Sequence, residues 1–151
     1  MDLRSRFPRS VRETVGGHVH LGRMIDKCRA VLAGMQGDYV YPCPMDERLL
    51  QFAGVSSEDF CCAVQGRTDE ELMEWFRLNA TPHSQSEIDA WNETFLAVEP
   101  DTEDKRAYFN HTRDAIDPRR TDITTWADLL DLDEQRPVPT RHTSASTGGR
   151  G

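Results

Sequence analysis

The sequence predicts an all-α protein of six or seven short helices around a single core, with a minimal β element near residues 39–41 as the one exception. Three observations carry this. Apolar residues recur at helical spacing, as in Ile88, Trp91, Phe95 and Leu96. Helix starts of the form S/T-x-x-E stand at Ser10, Thr68 and Ser84. Gly34, Gly54 and Gly66 stand where helices should stop.

Taken in order, residues 1–17 hold Arg4, Arg6, Pro8 and Arg9, then Ser10-Val11-Arg12-Glu13, which reads as a short helix ended by Gly16-Gly17. The main N-terminal helix is expected from about His18 or Leu21 to Ala33, with Gly34 as its stop. Gly22 inside it costs roughly 1 kcal/mol relative to alanine, so either the helix starts there or another group approaches its backbone closely. Residues 35–44 form an extended connection, because each proline pushes the residue before it away from helical geometry; the minimal β element falls at Tyr39–Tyr41. Pro44 occupies a first helical position, with Asp46 and Glu47 in the first turn of a helix carrying Leu49, Leu50 and Phe52 and ending at Gly54.

Ser56 opens a helix with Phe60, Cys61 and Val64 that Gly66 closes. Thr68-Asp69-Glu70-Glu71 is a capping box before Leu72, Trp75, Phe76 and Leu78, and Ser84-Gln85-Ser86-Glu87 is another. After Pro100, a more polar helix runs from Asp101 to about Ala115, and Thr124 to Leu130 supplies a last turn or two. These elements make one helical domain over residues 1–134. Residues 135–151, rich in Pro, Ser, Thr, Gly and Arg, read as a disordered tail.

Charge is divided unevenly. Residues 1–34 hold seven Arg or Lys against three acids, whereas residues 35–134 hold eight against 23. The basic N-terminal segment is therefore expected to pack on the acidic body. A net charge of −8 argues against nucleic-acid binding, since phosphate affinity needs a basic surface. No apolar run approaches the roughly 20 residues that cross a bilayer. Cys28, Cys43, Cys61 and Cys62 lack C-x-x-C spacing and the start of the chain is too polar for a signal region, which together point to the cytoplasm. There is no P-loop, dinucleotide fingerprint, G-x-S-x-G or H-E-x-x-H, so no cofactor is expected.

The residues with chemical potential lie on the N-terminal helix. At about 100° per residue, His20, Arg23 and Lys27 form a cationic strip beside the apolar arc of Leu21, Met24, Cys28 and Leu32. Arg23 and Lys27 suit a carboxylate or phosphate, and His20 titrates near neutrality. The bland alternative pairs Arg23 with Asp26 and leaves Lys27 to snorkel. His18 and His20 share one side only in a strand, and no second cluster has metal-ligand spacing, so no metal site is assigned. Cys43, between two prolines, occupies a helix N-cap, where a buried capping thiol is the default. Trp75, Phe76, Trp91 and Phe95 are core by default.

Two functions are compatible with the strip. One is a non-catalytic module that binds a small anionic metabolite or an acidic partner through His20, Arg23 and Lys27, with Cys43 and Asp128 as further ligand-binding candidates. The other is a cofactor-independent enzyme of lyase or isomerase type, in which His20 is general acid/base, Asp46 or Asp128 its partner, and Arg23 and Lys27 orient the anion. The number of subunits is not set by these features.

The run Gly16-Gly17-x-Val19-His20-Leu21-x-Arg23-Met24-Ile25-Asp26-Lys27, followed by Cys43-Pro44-Met45-Asp46 and Phe52-x-Gly54-Val55, resembles a bacterial family known as domain-of-unknown-function family 5069. Ile88-Asp89-Ala90-Trp91-Asn92 and Trp126-Ala127-Asp128-Leu129-Leu130-Asp131 extend the resemblance over roughly residues 3 to 134. The resemblance implies a compact single-domain bacterial protein and brings no reaction, cofactor or catalytic residue with it.

Overall fold

The computed structural model describes residues 1–141. In chain order its elements are β1 (Thr14–Val15), β2 (His18–Val19), α1 (Leu21–Leu32), α2 (Pro44–Ala53), α3 (Ser57–Val64), α4 (Asp69–Asn79), α5 (Gln85–Leu96), α6 (Glu103–Ile116) and α7 (Trp126–Asp133). The fold is mostly α, as the helical spacing predicts, and β1 and β2 form one small antiparallel sheet. No helix among the described residues is long and apolar enough to cross a membrane. The chain divides into two compact units, the first spanning Met1–Asn92 and the second beginning at Glu93, within α5. Of the tail expected from residue 135, residues 142–151 lie outside the described residues.

Local chemistry sets the helix boundaries. Thr68 and Glu71 exchange reciprocal hydrogen bonds at the start of α4, with distances of 3.2 and 2.9 Å. Ser84 and Glu87 do the same before α5, at 3.2 and 2.7 Å. The side chains of Ser56, Thr102 and Thr125 accept from N–H groups in the first turns of α3, α6 and α7. Each supplies an acceptor to a donor that the helix itself cannot satisfy.

The β element lies at residues 14–19 rather than at 39–41, and it takes the place of the short helix expected to end at Gly16-Gly17. Gly16 and Gly17 have φ of 58° and 84°, the left-handed geometry at both central positions that a two-residue hairpin turn requires. Thr14 pairs with Val19 and Val15 with His18. Ser10 and Glu13 still make the local bonds of a helix start, but only as a single turn. Around Tyr41, Pro42 and Pro44 bring no N–H to a ladder, and the Tyr41 hydroxyl instead donates to the Ser57 carbonyl at 2.8 Å.

In the first unit, α1 gives Leu21, Met24, Ile25 and Cys28 to the core; α2 gives Leu49, Leu50 and Ala53; α3 gives Phe60, Ala63 and Val64; and α4 gives Leu72 and Phe76. Trp75 and Trp91 pack against this cluster half-buried. Of the two alternatives for Gly22, close approach of another group is the one the structure shows. The helix starts one residue earlier, and a Cβ there would lie 3.1 Å from Arg9 Nε and from Val15 Cγ2. Arg9 crosses α1 at that point to bind Asp26 and, at 2.9 Å, Asp69, which also accepts from Arg29 at 2.8 Å. The basic N-terminal segment thus does pack on acidic residues of its own chain.

The second unit is organised around Phe109, Ile123 and Leu129, with Trp126, Leu132 and Val138 against them. Arg113 is buried in the same unit and donates to the Ile123 carbonyl at 3.1 Å. Arg141, within the stretch the composition assigns to the tail, donates to both oxygens of Asp128 at 2.9 and 2.8 Å.

Gly54 ends α2 with φ of 68°, and a Cβ there would collide with Thr81 Oγ1. Gly34 has a similar φ of 69° with no atom within 4 Å of its Cβ position. Gly34→Ala therefore carries only the cost of the left-handed backbone, roughly 1–2 kcal/mol, while Gly54→Ala also displaces Thr81. Urea unfolding should show the larger loss for Gly54→Ala; equal losses would mean that Thr81 does not constrain this turn.

Candidate functional site

Four of the residues the sequence singles out converge in the first unit. The hairpin delivers the chain to His20, which caps α1 with φ of 69°. Among non-glycine residues histidine tolerates this region comparatively well, and the conformation turns the chain from strand into helix. The His20 N–H donates to the Val11 carbonyl at 2.8 Å, and its carbonyl accepts from Met24 at 3.0 Å. Its Nε2 then lies 2.6 Å from Asp46 Oδ1. Two turns along α1, Lys27 Nζ donates to Asp46 Oδ2 at 2.7 Å and to Cys43 Sγ at 3.2 Å.

Asp46 is where it is because of the local sequence. Cys43 is the N-cap of α2, Pro44 the first helical residue, and Asp46 the third, whose Oδ2 accepts from the Cys43 N–H at 2.9 Å. This is the acidic arm of a capping box. One carboxylate thereby closes a helix start and receives the imidazole and the ammonium. His20, Lys27 and Asp46 are 1%, 3% and 0% exposed. Cys43 is half-buried, the least enclosed residue of the four.

Burial opposes ionisation of Asp46, but the His20 hydrogen bond and the Lys27 charge outweigh it and hold the carboxyl at about 2. For His20 burial dominates and pushes the imidazole below its usual 6.5; the Asp46 carboxylate works against this, and the charges of Lys27 and Arg23 reinforce it. At neutral pH Asp46 is therefore a carboxylate and His20 a neutral imidazole whose Nε2–H donates to it. An imidazole hydrogen-bonded to a carboxylate is the arrangement acid–base chemistry uses. Here it is enclosed.

The remaining candidates go elsewhere. Arg23 is 4% exposed, donates to the Arg9 carbonyl at 3.3 Å, and has its guanidinium carbon 5.6 Å from the Tyr39 ring centroid. Asp26, the partner offered to Arg23 by sequence, accepts from the Arg9 backbone N–H and guanidinium. Asp128 belongs to the second unit, at the third position of α7, and binds Arg141. His18 and His20 serve different partners: His18 Nδ1–H donates to the Gly16 carbonyl at 3.1 Å. Among the described residues, no group of three or more His, Cys, Asp or Glu is placed to hold a metal ion.

The structure adds a feature that sequence reasoning missed. A cavity of about 300 Å³ opens in the first unit, with Ala53, Met73, Phe76 and Ile88 as apolar wall and His18, Arg77 and His83 as polar lining. His18 stands edge-on to Phe76 at 5.4 Å between centroids. Burial pushes its imidazole below the usual range. His83 stacks on Phe52 at 3.8 Å and donates Nε2–H to the Phe52 carbonyl at 2.8 Å, while Phe52 also stacks with Trp91 at 5.0 Å. The signal in the sequence is the H-x-H pair, whose first member, His18, faces this cavity while His20 faces Asp46.

Comparison with known proteins places the chain in a family. The model of a family described as Domain of unknown function (DUF5069) covers residues 5–136. No curated protein is similar enough to be matched.

The His20 shift fixes a pH dependence. A histidine whose folded value is lowered contributes its full stability above 6.5, the unfolded value, and loses it as pH falls below that, because only the unfolded chain then takes the proton readily. Wild-type stability should fall as pH drops from 7 to 5, with a His20 contribution of at most about 1.4 kcal/mol per pH unit, the limit for one proton. His20→Gln, which keeps a donor for Asp46, should show a shallower slope, the remainder coming from His18. Equal slopes in urea titrations at the two pH values would mean that His20 charges as readily folded as unfolded. Lys27→Met, which strands a buried carboxylate, should cost roughly 3–5 kcal/mol at pH 7.

Proposed function

Because the chain belongs to the DUF5069 family, whose description assigns no activity, we propose its function from geometry: it binds a small amphipathic anion in the cavity of the first unit. The buried cluster is the frame that holds two of the cavity's walls. The ligand class is the anionic metabolite expected from the sequence, and the strip residues act from behind the site instead of touching the ligand. His18 precedes His20 by two residues, and Ala53 ends the helix that Asp46 begins. Fixing His20 on Asp46 therefore fixes both walls.

The observation that carries this is the lining itself. A pocket of this size with apolar walls and a few polar groups is what small-molecule sites look like. Arg77 supplies the cation. Its existing partner, Glu74 one turn back on α4, is exposed with it, and such a surface pair yields readily to a ligand carboxylate. Free thiols at all four cysteines support a reducing, cytoplasmic setting, and the net charge of −8 supports a ligand other than nucleic acid.

The alternative is the cofactor-independent lyase or isomerase, with His20 as general acid/base, and the 2.6 Å His20–Asp46 contact favours it. It needs a substrate to reach side chains that are almost wholly covered. His20→Gln separates the two: a framing role leaves ligand affinity unchanged in the folded variant, whereas direct contact loses it.

Thermal-shift titration with acetate, hexanoate and benzoate tests the proposal. Hexanoate and benzoate should raise the melting temperature more than acetate at equal concentration, because only they fill the apolar wall. Arg77→Ala should weaken the response about tenfold, as expected for losing one charge-assisted contact. No stabilisation by any of the three, or an undiminished response in Arg77→Ala, would overturn it.

A further inference from the structure

We propose that Cys43 and Lys27 form a reversible covalent bond, a sulfenamide between Sγ and Nζ, when the protein meets a peroxide. The inference is independent of the ligand site and rests on three observations. Lys27 Nζ lies 3.2 Å from Cys43 Sγ, within hydrogen-bond distance. The lysine is almost completely buried and tethered to Asp46 at 2.7 Å, so its amine is held against the sulfur and does not swing into solvent. Cys43, in contrast, is only half-buried, so this residue is not sealed into the core as Lys27 is. Immobilising two reacting atoms near contact distance converts an intermolecular encounter into an intramolecular step.

The remaining thiols do not share this arrangement. Burial pushes the Cys28 thiol far up, and Cys61 is raised by the same cause, so both resist conversion to thiolate. Cys62 is exposed on α3.

The chemistry balances with hydrogen peroxide as the only oxidant. In the first step the Cys43 sulfur attacks a peroxide oxygen: the S–O bond forms, the O–O bond breaks, and the departing hydroxide leaves as water with the thiol proton, so that thiol and hydrogen peroxide give sulfenic acid and water. The sulfur loses two electrons and the peroxide gains them. In the second step a proton of the Lys27 ammonium joins the departing sulfenic hydroxyl as water while Nζ attacks Sγ. The S–N bond forms as the S–O bond breaks, and the sulfenic acid and the ammonium together give the sulfenamide, one water and one proton. Sulfenic acids condense in this way with backbone nitrogen; the structure offers a side-chain nitrogen instead. A dithiol reverses the bond and returns both the thiol and the amine. While the bond lasts, Lys27 is uncharged and Asp46 has lost a cation.

The full chain, treated with hydrogen peroxide, alkylated and digested with trypsin, provides the test by mass spectrometry. Wild type should yield a peptide pair joined through Lys27 and Cys43, two hydrogens lighter than the sum of its parts, uncut after Lys27 and released by dithiothreitol. Cys43→Ser should lack it. Lys27→Arg keeps a cation beside Asp46 but no amine; in it, oxidation should stop at the sulfenic acid, seen as severalfold more dimedone adduct on Cys43 than in wild type. Unreacted Cys43 in wild type, or equal dimedone labelling in wild type and Lys27→Arg with no joined peptides, would overturn the proposal.

Discussion

The first unit depends on one carboxylate. Asp46 accepts from an imidazole at the start of α1, from an ammonium two turns further along that helix, and from the N–H that opens α2. A charge this deeply buried is tolerated only when donors surround it. The constraint therefore runs outward from Asp46: α1 must present His20 and Lys27 together, and α2 must begin at Pro44 and nowhere else. Apolar packing between the same helices would hold them together but would allow them to slide. Three directional bonds on two oxygens fix the register. Replacing the whole set with apolar side chains need not destabilise the fold; what it would remove is that register.

Much of this was legible because capping is local. Proline at the first helical position, aspartate at the third and a cysteine before them define the start of α2 from adjacent residues alone. Helical spacing likewise placed His20, Arg23 and Lys27 side by side. Spacing does not say what covers a face, and here the answer is non-local: Arg9 and Val11 reach the strip from the N-terminal segment, and Tyr39 and Cys43 reach it from the connection to α2. A strip that looked like the rim of the core is therefore inside it. Asp46 and Asp128 were equivalent as partners for His20 on paper, and only tertiary structure sends one to the imidazole and the other to Arg141.

The hairpin shows how two local signals can compete. Ser10-Val11-Arg12-Glu13 has the form of a helix start and keeps its hydrogen bonds, but Gly16-Gly17 between Thr14-Val15 and His18-Val19 is the stronger signal, since paired glycines between strand-favouring residues suit a two-residue turn. The cavity left no comparable trace. Its lining comes from the hairpin, the end of α2, one face of α4, residues 80–83 and Ile88 of α5, each ordinary in isolation. What fixes its shape is that His83 is locked by stacking on Phe52 while the N–H of Thr81 is bound to the Ala53 carbonyl.

Arg9 imposes an order on assembly. Its guanidinium bridges Asp26, 17 residues ahead, and Asp69, 60 residues ahead. On a ribosome adding about 5–20 residues per second, Asp26 emerges within seconds of Arg9, whereas α4 emerges several seconds later. During that interval the N-terminal segment has only half of its electrostatic anchorage, and α1 lacks the helix that supplies the other half. Arg9 is thus made before either of its partners and fully secured only after the second of them. A nascent chain paused before α4 would expose a basic arm that the finished protein keeps folded against itself.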